Sequence, residues 1–221
     1  MSVAAIVPAA GRGERAGVDK LWVDVGGRPL ISHTLERIAA VGSIQSIVVV
    51  CPEAHHGAVR EIAAKLGIVG LTCVPGGARR RDSVAAGLGA VGVAEIVVVH
   101  DAARPLVSAA LVEAVIAAAR RHGAATAGLP CVDTIKRVDR GMVVETLSRQ
   151  SLVSVQTPQA FAAALLRRAH AADDEDAPDD CLLVERLGEP VAVVPGEIGN
   201  RKITHVEDLE WLRRHLHRAP A

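Results

Sequence analysis

Short runs of β-branched and apolar residues alternate along this chain with longer alanine-rich segments, a rhythm that predicts parallel strands joined by crossover helices. The runs that read as strands are Val3 to Val7, Ser46 to Cys51, Leu71 to Val74, Glu95 to Val99, Ala125 to Leu129 and Val191 to Val194. Helices fill the intervals. Pro29 fits the first turn of one leading to Val41, Pro52-Glu53 opens one to Leu66, and Ser108 can cap one running to His122. Thr204-x-x-Glu207 has the form of a capping box for the last helix. The expected fold is α/β, with a doubly wound, mostly parallel sheet.

Between Cys131 and Phe161 the rhythm breaks. Thr134 to Val138, a turn at Asp139-Arg140-Gly141 and then Met142 to Leu147 read as a β-hairpin. A lone hairpin has little core of its own, so it either folds back or embraces another subunit. We take the second reading and expect residues 131–158 to form an inserted β-arm within a single domain, 1–221. Most of the acidic run Asp173 to Asp180 reads as a solvated loop.

Composition narrows the function. The 221 residues carry 25 basic and 25 acidic side chains, so no general field draws the chain to nucleic acid or anionic lipid, and anion recognition has to be local. The longest apolar runs are too short to span a membrane and no basic leader precedes the first strand, so a cytoplasmic protein is expected. Cys51, Cys73, Cys131 and Cys181 form no C-x-x-C pair, and the histidines show no ligand spacing, which argues against a structural zinc site.

The most informative stretch is the first strand running into P-A-A-G-R-G-E-R, with Lys20 beyond it. Gly11 and Gly13 let backbone N–H groups turn toward an anion, Ala9 and Ala10 leave room for a flat group, and Arg15 and Lys20 supply charge. No glycine-lysine pair follows at Walker A spacing. Gly11-x-Gly13-x-x-Ala16 matches the dinucleotide fingerprint, but the uninterrupted helix and later acidic residue of that motif are missing. A plain glycine turn is the remaining alternative.

Two further segments follow strands. Gly76-Gly77-Ala78-Arg79-Arg80-Arg81-Asp82-Ser83 opens a helix whose amides face the same sheet edge; Ser83 can bond a base, whereas the three arginines can equally be solvated. His100-Asp101-Ala102-Ala103-Arg104-Pro105 puts Asp101 where it can hold a divalent ion on a polyphosphate and Arg104 where it can face a second anion, unless the two simply close a turn. Lysine is scarce against arginine, with only Lys20, Lys65, Lys136 and Lys202, and a compact ammonium in an arginine background points to tight phosphate contact.

Together P-A-A-G-R-G-E-R with Lys20, G-G-x-x-R-x-D-S-V, V-H-D-A-A-R-P, D-T-I-K, T-P-Q-A-F and N-R-K-I-T closely resemble the 2-C-methyl-D-erythritol 4-phosphate cytidylyltransferases of the non-mevalonate isoprenoid pathway, over nearly the whole chain. The resemblance implies a Rossmann-like nucleotidyltransferase fold with a hairpin dimerisation arm, acting as a homodimer on CTP and methylerythritol phosphate, with magnesium as cofactor. It implies that the nucleotide lies against Ala9, Ala10, Gly11, Gly77, Ser83 and Asp101, and that Arg15, Lys20 and Lys202 are catalytic. Asp101 is implied as metal ligand, and as substrate ligand with Arg104, while Thr134 and Arg149 reach the acceptor from the arm of a second copy. The chain departs from the family pattern at Asp19, where proline is usual, at Ala78, where aspartate is usual, and at Pro178, where threonine is usual. Two other readings stay open, a ribitol 5-phosphate cytidylyltransferase and a catalytically inactive nucleotide-binding module. No fused second enzyme is expected.

Overall fold

The computed structural model describes residues 2–11, 19–172 and 174–216. Along the described residues run β1 (Val3–Pro8), α1 (Leu30–Ala39), β2 (Ile44–Val50), α2 (His56–Lys65), β3 (Leu71–Val74), α3 (Arg80–Ala90), β4 (Ile96–Val99), α4 (Ala109–His122), β5 (Ala124–Pro130), β6 (Ile135–Asp139), β7 (Met142–Leu147), β8 (Val153–Ala162), α5 (Ala163–Ala172), α6 (Asp180–Arg186), β9 (Ala192–Pro195) and α7 (Val206–Leu216). Seven strands form one sheet in the order β3-β2-β1-β4-β8-β5-β9, and β6 pairs only with β7. Every pairing in the large sheet is parallel except those of β8, which runs antiparallel to β4 and to β5. The α/β class and the mostly parallel sheet are those the alternation of runs predicts.

Residues of β1 alternate between two cores, as the pleat requires. Val3, Ala5 and Val7 pack with Leu35 and Ile38 of α1, Val59 and Ile62 of α2, Val112 and Ile116 of α4 and Leu212 of α7. Ala4 and Ile6 face the other way, toward Val84 and Leu88 of α3, Leu166 of α5 and Val184 of α6. Helices therefore cover both faces, which is why the central strands are apolar at successive positions. In the near absence of aromatics, Phe161 on β8 is the largest fully buried side chain.

β8 is absent from the strands expected above. It carries Gln156, Thr157 and Gln159, all buried, and a proline, which cannot donate to a ladder and argues against a central strand. The pairing solves this with an irregularity: Thr126 faces Gln159 and Ala127 faces Gln156, so Thr157 and Pro158 are bulged out of the β5 ladder.

Ser108 caps α4 as expected, its Oγ accepting from Leu111 N at 3.0 Å. The last helix corrects its predicted cap. Asp208, one residue beyond the expected Glu207, accepts from the backbone N–H groups of Thr204 at 2.8 Å and His205 at 2.9 Å, while Thr204 Oγ1 turns back toward Lys202 O. Asp208 is buried and also bonded to Arg201, so its carboxylate outcompetes the exposed Glu207.

The hairpin turns at Arg140-Gly141, both with positive φ, 48° and 80°. Two left-handed central residues match the right-handed twist of the flanking strands. Lys136 Nζ donates to Thr146 Oγ1 at 2.7 Å and Arg137 pairs with Glu145 at 3.1 Å across it. Of the residues expected in the arm, 131–158, Val153 to Gln156 already pair with β5 in the large sheet. No described helix is long and apolar enough to cross a membrane.

Candidate active site

In the sheet, β2 and β3 lie on one side of β1 and β4 lies on the other, so the winding reverses between β1 and β4. Loops leaving the carboxyl ends of those strands diverge, and open α/β sheets bind ligands in the crevice so formed. A cavity of about 670 Å³ occupies that position, walled by Pro8 to Gly11, Lys20, Leu21, Gly77 to Arg80, Ser83, Asp101 to Ala103 and Lys202. Its volume suits a small molecule. Another cavity, of about 370 Å³, lies between the ends of α1, α2 and β2, but Glu36 is the sole charged residue on its described walls, which suits no polyanion.

The loops that wall the larger cavity are packed against each other. A Cβ placed on Gly76 would come within 2.2 Å of Ala10 Cβ, and one on Gly77 within 2.3 Å of Asp82 Cβ, so no side chain fits at either position. Ser83 Oγ accepts from Gly77 N and donates to Arg79 O, both at 3.2 Å, and Asp82 accepts from Arg79 N at 3.0 Å. Ser83 thus fixes the second glycine loop in the protein as it stands, in addition to facing the cavity. The loop is pinned over the start of α3, whose first amides favour an anion.

Asp101 is the electrostatic centre of the cavity floor. Lys202 Nζ lies 2.9 Å and Arg104 Nε 3.4 Å from its Oδ2, and Arg80 Nε stands 3.9 Å from its Oδ1. Burial by itself would push the carboxyl up, but Lys202, Arg80 and Arg104 outweigh it and hold the group below the ordinary carboxylate range. Asp101 is therefore ionised at neutral pH.

A polar frame behind the cavity sets these positions, and it is built largely from the T-P-Q motif on β8. Thr157 Oγ1 accepts from Asp101 N at 3.0 Å, and Thr157 O accepts from Asn200 Nδ2 at 2.7 Å. Asn200 O in turn accepts from Arg104 Nη1 at 2.9 Å, and Gln156 ties the same turn through Glu197 O at 3.0 Å. Gln159 Nε2 donates to Asp179 Oδ2 at 2.8 Å and its Oε1 accepts from Asp180 N at 3.3 Å. His100 is fully buried; its Nε2 donates to Arg104 O at 3.1 Å, which leaves Nδ1 to accept from Thr157 at 3.3 Å. Burial lowers its pKa to about 4, so the ring is neutral and serves as a spacer with fixed donor and acceptor ends.

Of the residues singled out from the sequence, Ala9, Ala10, Gly11, Lys20, Gly77, Ser83, Asp101 and Lys202 share the cavity wall. Arg15 lies outside the described residues. Arg104 is buried behind Asp101 and points at Asn200 O rather than into the opening. Thr134 and Arg149 are exposed on and beside the arm, with Arg149 bonded to Val132 O, and neither lines this chain's cavity. Asp19 faces His55 at 3.7 Å, Ala78 lies on the cavity wall, and Pro178 is exposed. Gln156, Thr157, Gln159, Asn200 and Arg80 are the positions that sequence reasoning left without a role. Buried polar residues in an otherwise apolar strand are the signal that marks the first three.

The acidic run and the arginine run also find each other. Arg79 pairs with Asp174 at 2.6 Å, Arg80 with Asp180 at 2.8 Å, and Arg81 donates to Glu175 O at 2.8 Å. Asp174 to Asp176 are exposed, as expected of a solvated loop, but Asp180 is completely buried.

No group of three His, Cys, Asp or Glu among the described residues could hold a metal ion unaided. Asp101 Oδ1, which accepts no hydrogen bond from a described residue, fits a magnesium ion that takes one protein carboxylate oxygen and its remaining ligands from phosphates and water.

Residues 3–217 match the family described as IspD, 2-C-methyl-D-erythritol 4-phosphate cytidylyltransferase. The chain is 44% identical over 220 residues to the 2-C-methyl-D-erythritol 4-phosphate cytidylyltransferase of Syntrophotalea carbinolica, covering 95% of this chain and 94% of that protein. It is also 44% identical to the bifunctional enzyme IspD/IspF of Anaeromyxobacter dehalogenans, covering 96% of this chain and 56% of that protein; it thus spans little more than half of that bifunctional relative. Among solved structures, 4-diphosphocytidyl-2C-methyl-D-erythritol synthase from Anaerococcus prevotii superposes with a TM-score of 0.87 at 32% identity, over 98% of this chain and 99% of the other. The 2-C-methyl-D-erythritol 4-phosphate cytidylyltransferase from Thermus thermophilus gives 0.80 at 36% identity, over 96% and 98%.

Proposed function

The chain belongs to the 2-C-methyl-D-erythritol 4-phosphate cytidylyltransferase family, and on that premise we propose that it transfers CMP from CTP to 2-C-methyl-D-erythritol 4-phosphate, releasing pyrophosphate and forming 4-diphosphocytidyl-2-C-methyl-D-erythritol. The observation that carries this reading is the single cavity wall shared by two glycine loops, Lys20, Asp101 and Lys202.

A phosphate oxygen of the acceptor attacks the α-phosphorus of CTP, the new P–O bond forms as the bond to the bridging oxygen breaks, and pyrophosphate leaves with that electron pair. A phosphate monoester has its second pKa near about 6, so the acceptor is largely a dianion at neutral pH and needs no general base. The obstacle is repulsion between two polyanions. Lys20 and Lys202 on the cavity wall offset it, with Arg15 assigned the same task by the family pattern, while the amides of the glycine loops and of the start of α3 fix the nucleotide for in-line displacement. Ala9, Ala10, Gly11, Gly77 and Ser83 form the nucleotide side of the pocket. Asp101, with Arg104 behind it, forms the acceptor side. Asp101 would hold a magnesium ion, which when bound supplies further positive charge to the phosphates.

The same reading makes the protein a homodimer through the arm, with Thr134 and Arg149 completing the acceptor site of the second copy. Support comes from the exposed apolar residues of the hairpin, Val138, Met142, Val143 and Val144, and from the exposure of Thr134 and Arg149 away from their own cavity. All four cysteines are free thiols, which suits the reducing cytoplasm.

Incubation with CTP, magnesium and either 2-C-methyl-D-erythritol 4-phosphate or ribitol 5-phosphate, with pyrophosphate measured, tests the assignment. Release only with the methylerythritol acceptor is expected. Release only with ribitol phosphate would move the chain to the rival activity, and none with either acceptor would leave a nucleotide-binding module.

A further inference from the structure

Arg80 stands on the cavity wall beside Asp101, yet nothing in the reaction described above uses it. Its setting is unusual for an arginine in a charge run. Nη1 donates at 2.8 Å to Asp180 Oδ2, and Asp180 is itself completely buried. That carboxylate is fixed from two other directions: His170 Nε2 lies 3.1 Å from its Oδ1, and its own backbone N–H donates to Gln159 Oε1 at 3.3 Å. The guanidinium is therefore clamped from behind through a chain that ends on the buried face of β8.

Clamping one corner leaves the rest of the fork underused. A guanidinium carries five N–H donors, and buried donors are as a rule paired. Here Nη2 is buried with no hydrogen-bond partner among the described residues, and Nε is 3.9 Å from Asp101 Oδ1, beyond hydrogen-bond reach. A structural ion pair with Asp180 alone would not require the side chain to face a cavity shared with Lys20 and Lys202. Spare donors, a fixed orientation and a cationic neighbourhood together describe a site for a tetrahedral anion, since planar arginine suits two oxygens of one phosphate.

We propose that Arg80 is a further phosphate-binding residue of this active site, with Asp180 as the residue that positions it and His170 and Gln159 holding Asp180. The proposal deepens the cytidylyltransferase reading and rests on it for the identity of the phosphates. The contact belongs either to the nucleotide or to the acceptor, and kinetics separate the two.

The test compares the wild type with Arg80→Gln, with Arg80→Lys, and with the double variant Arg80→Gln/Asp180→Asn, which avoids leaving a buried carboxylate unpaired if the single change impairs folding. Two readouts are taken: steady-state kinetics with each substrate varied separately, and titration calorimetry with inorganic pyrophosphate. Loss of one charge-assisted contact should lower kcat/KM by about tenfold or more in both Gln variants, with Arg80→Lys intermediate. A rise confined to the KM for CTP places the contact on the nucleotide, and one confined to the KM for the acceptor places it there. Calorimetry distinguishes the two hypotheses. If the wild type releases no pyrophosphate from CTP, the cytidylyltransferase reading fails, and Arg80 is then judged on pyrophosphate binding alone, where weakening by about tenfold is expected. Folded variants that keep wild-type pyrophosphate affinity and wild-type kinetics would overturn the proposal, as would a wild type that neither releases pyrophosphate from CTP nor binds it.

Discussion

Val97, Val98 and Val99 on β4 are fully buried, whereas Val143 and Val144 on β7 are 60% and 57% exposed, although both runs are short and rich in valine. The difference lies in what covers them. β4 has a strand on each side and helices on both faces, so its apolar area is removed from water within one chain. The hairpin has one partner strand and no helix, and its valines face outward. A sheet so covered can carry a rim of charges at its carboxyl edge because its stability is already secured; the hairpin cannot be a self-sufficient unit and has to be stabilised by something else. On the present account that is a second copy, which the arm also supplies with acceptor-binding residues.

The largest effect should come from damaging the covered side. Phe161→Ala removes the largest fully buried side chain and should cost about 3–5 kcal/mol in chemical denaturation; a loss below about 1 kcal/mol would mean that the two cores are not packed as described. Next comes the charged rim that the core supports. Lys20→Ala should reduce kcat by more than about a hundredfold, close to 3 kcal/mol, with an unchanged unfolding midpoint. Near-normal turnover would remove Lys20 from the catalytic set.

On the uncovered side, Val143→Asp places a charge among the exposed apolar residues of the hairpin. Sedimentation should then show a shift from dimer toward monomer while far-ultraviolet circular dichroism stays the same, and a variant that remains as dimeric as the wild type would detach the arm from association. Arg149→Ala should raise the KM for the acceptor and leave that for CTP unaltered, and mixing it with Lys20→Ala should restore part of the activity if the residues act across the dimer.

The smallest effect concerns pH. His33 donates from Nε2 to Val25 O at 2.8 Å and accepts at Nδ1 from Arg28 at 3.0 Å, so it is bonded as the neutral ring, and burial holds its pKa below the usual 6.5. As pH falls below about 6.5 the unfolded chain takes up a proton that the folded ring resists, so the stability that His33 contributes should be complete above about 6.5, decline below it, and be lost as pH reaches the lower folded pKa. His33→Gln should flatten that part of the profile in thermal unfolding at pH 5 to 7.

Much of this was legible in the chain itself. Apolar runs such as Val3–Pro8 and Ile96–Val99 announce strands buried on both faces, and the loops after them carry the cavity walls because carboxyl ends of parallel strands gather on one edge. The turn at Arg140-Gly141 was equally plain. β8 was hidden, because a buried strand that carries Gln156, Thr157, Pro158 and Gln159 violates strand propensity to satisfy polar partners on Asp101, Asn200, Asp179 and Asp180. Arg80 was hidden for a related reason. Three arginines in a row look solvated until the distant acidic segment is folded against them, and sequence separation conceals which one reaches a buried carboxylate.

The central claim is that amides and cations on one edge of the sheet clamp a cytidine nucleotide for displacement at its α-phosphorus. A crystal structure with CTP and magnesium tests it most directly: the account predicts the base against Ala9, Ala10 and Gly77 and the triphosphate within reach of Lys20, and CTP bound at the cavity beside Glu36 and Val69, or absent at saturating concentration, would contradict it.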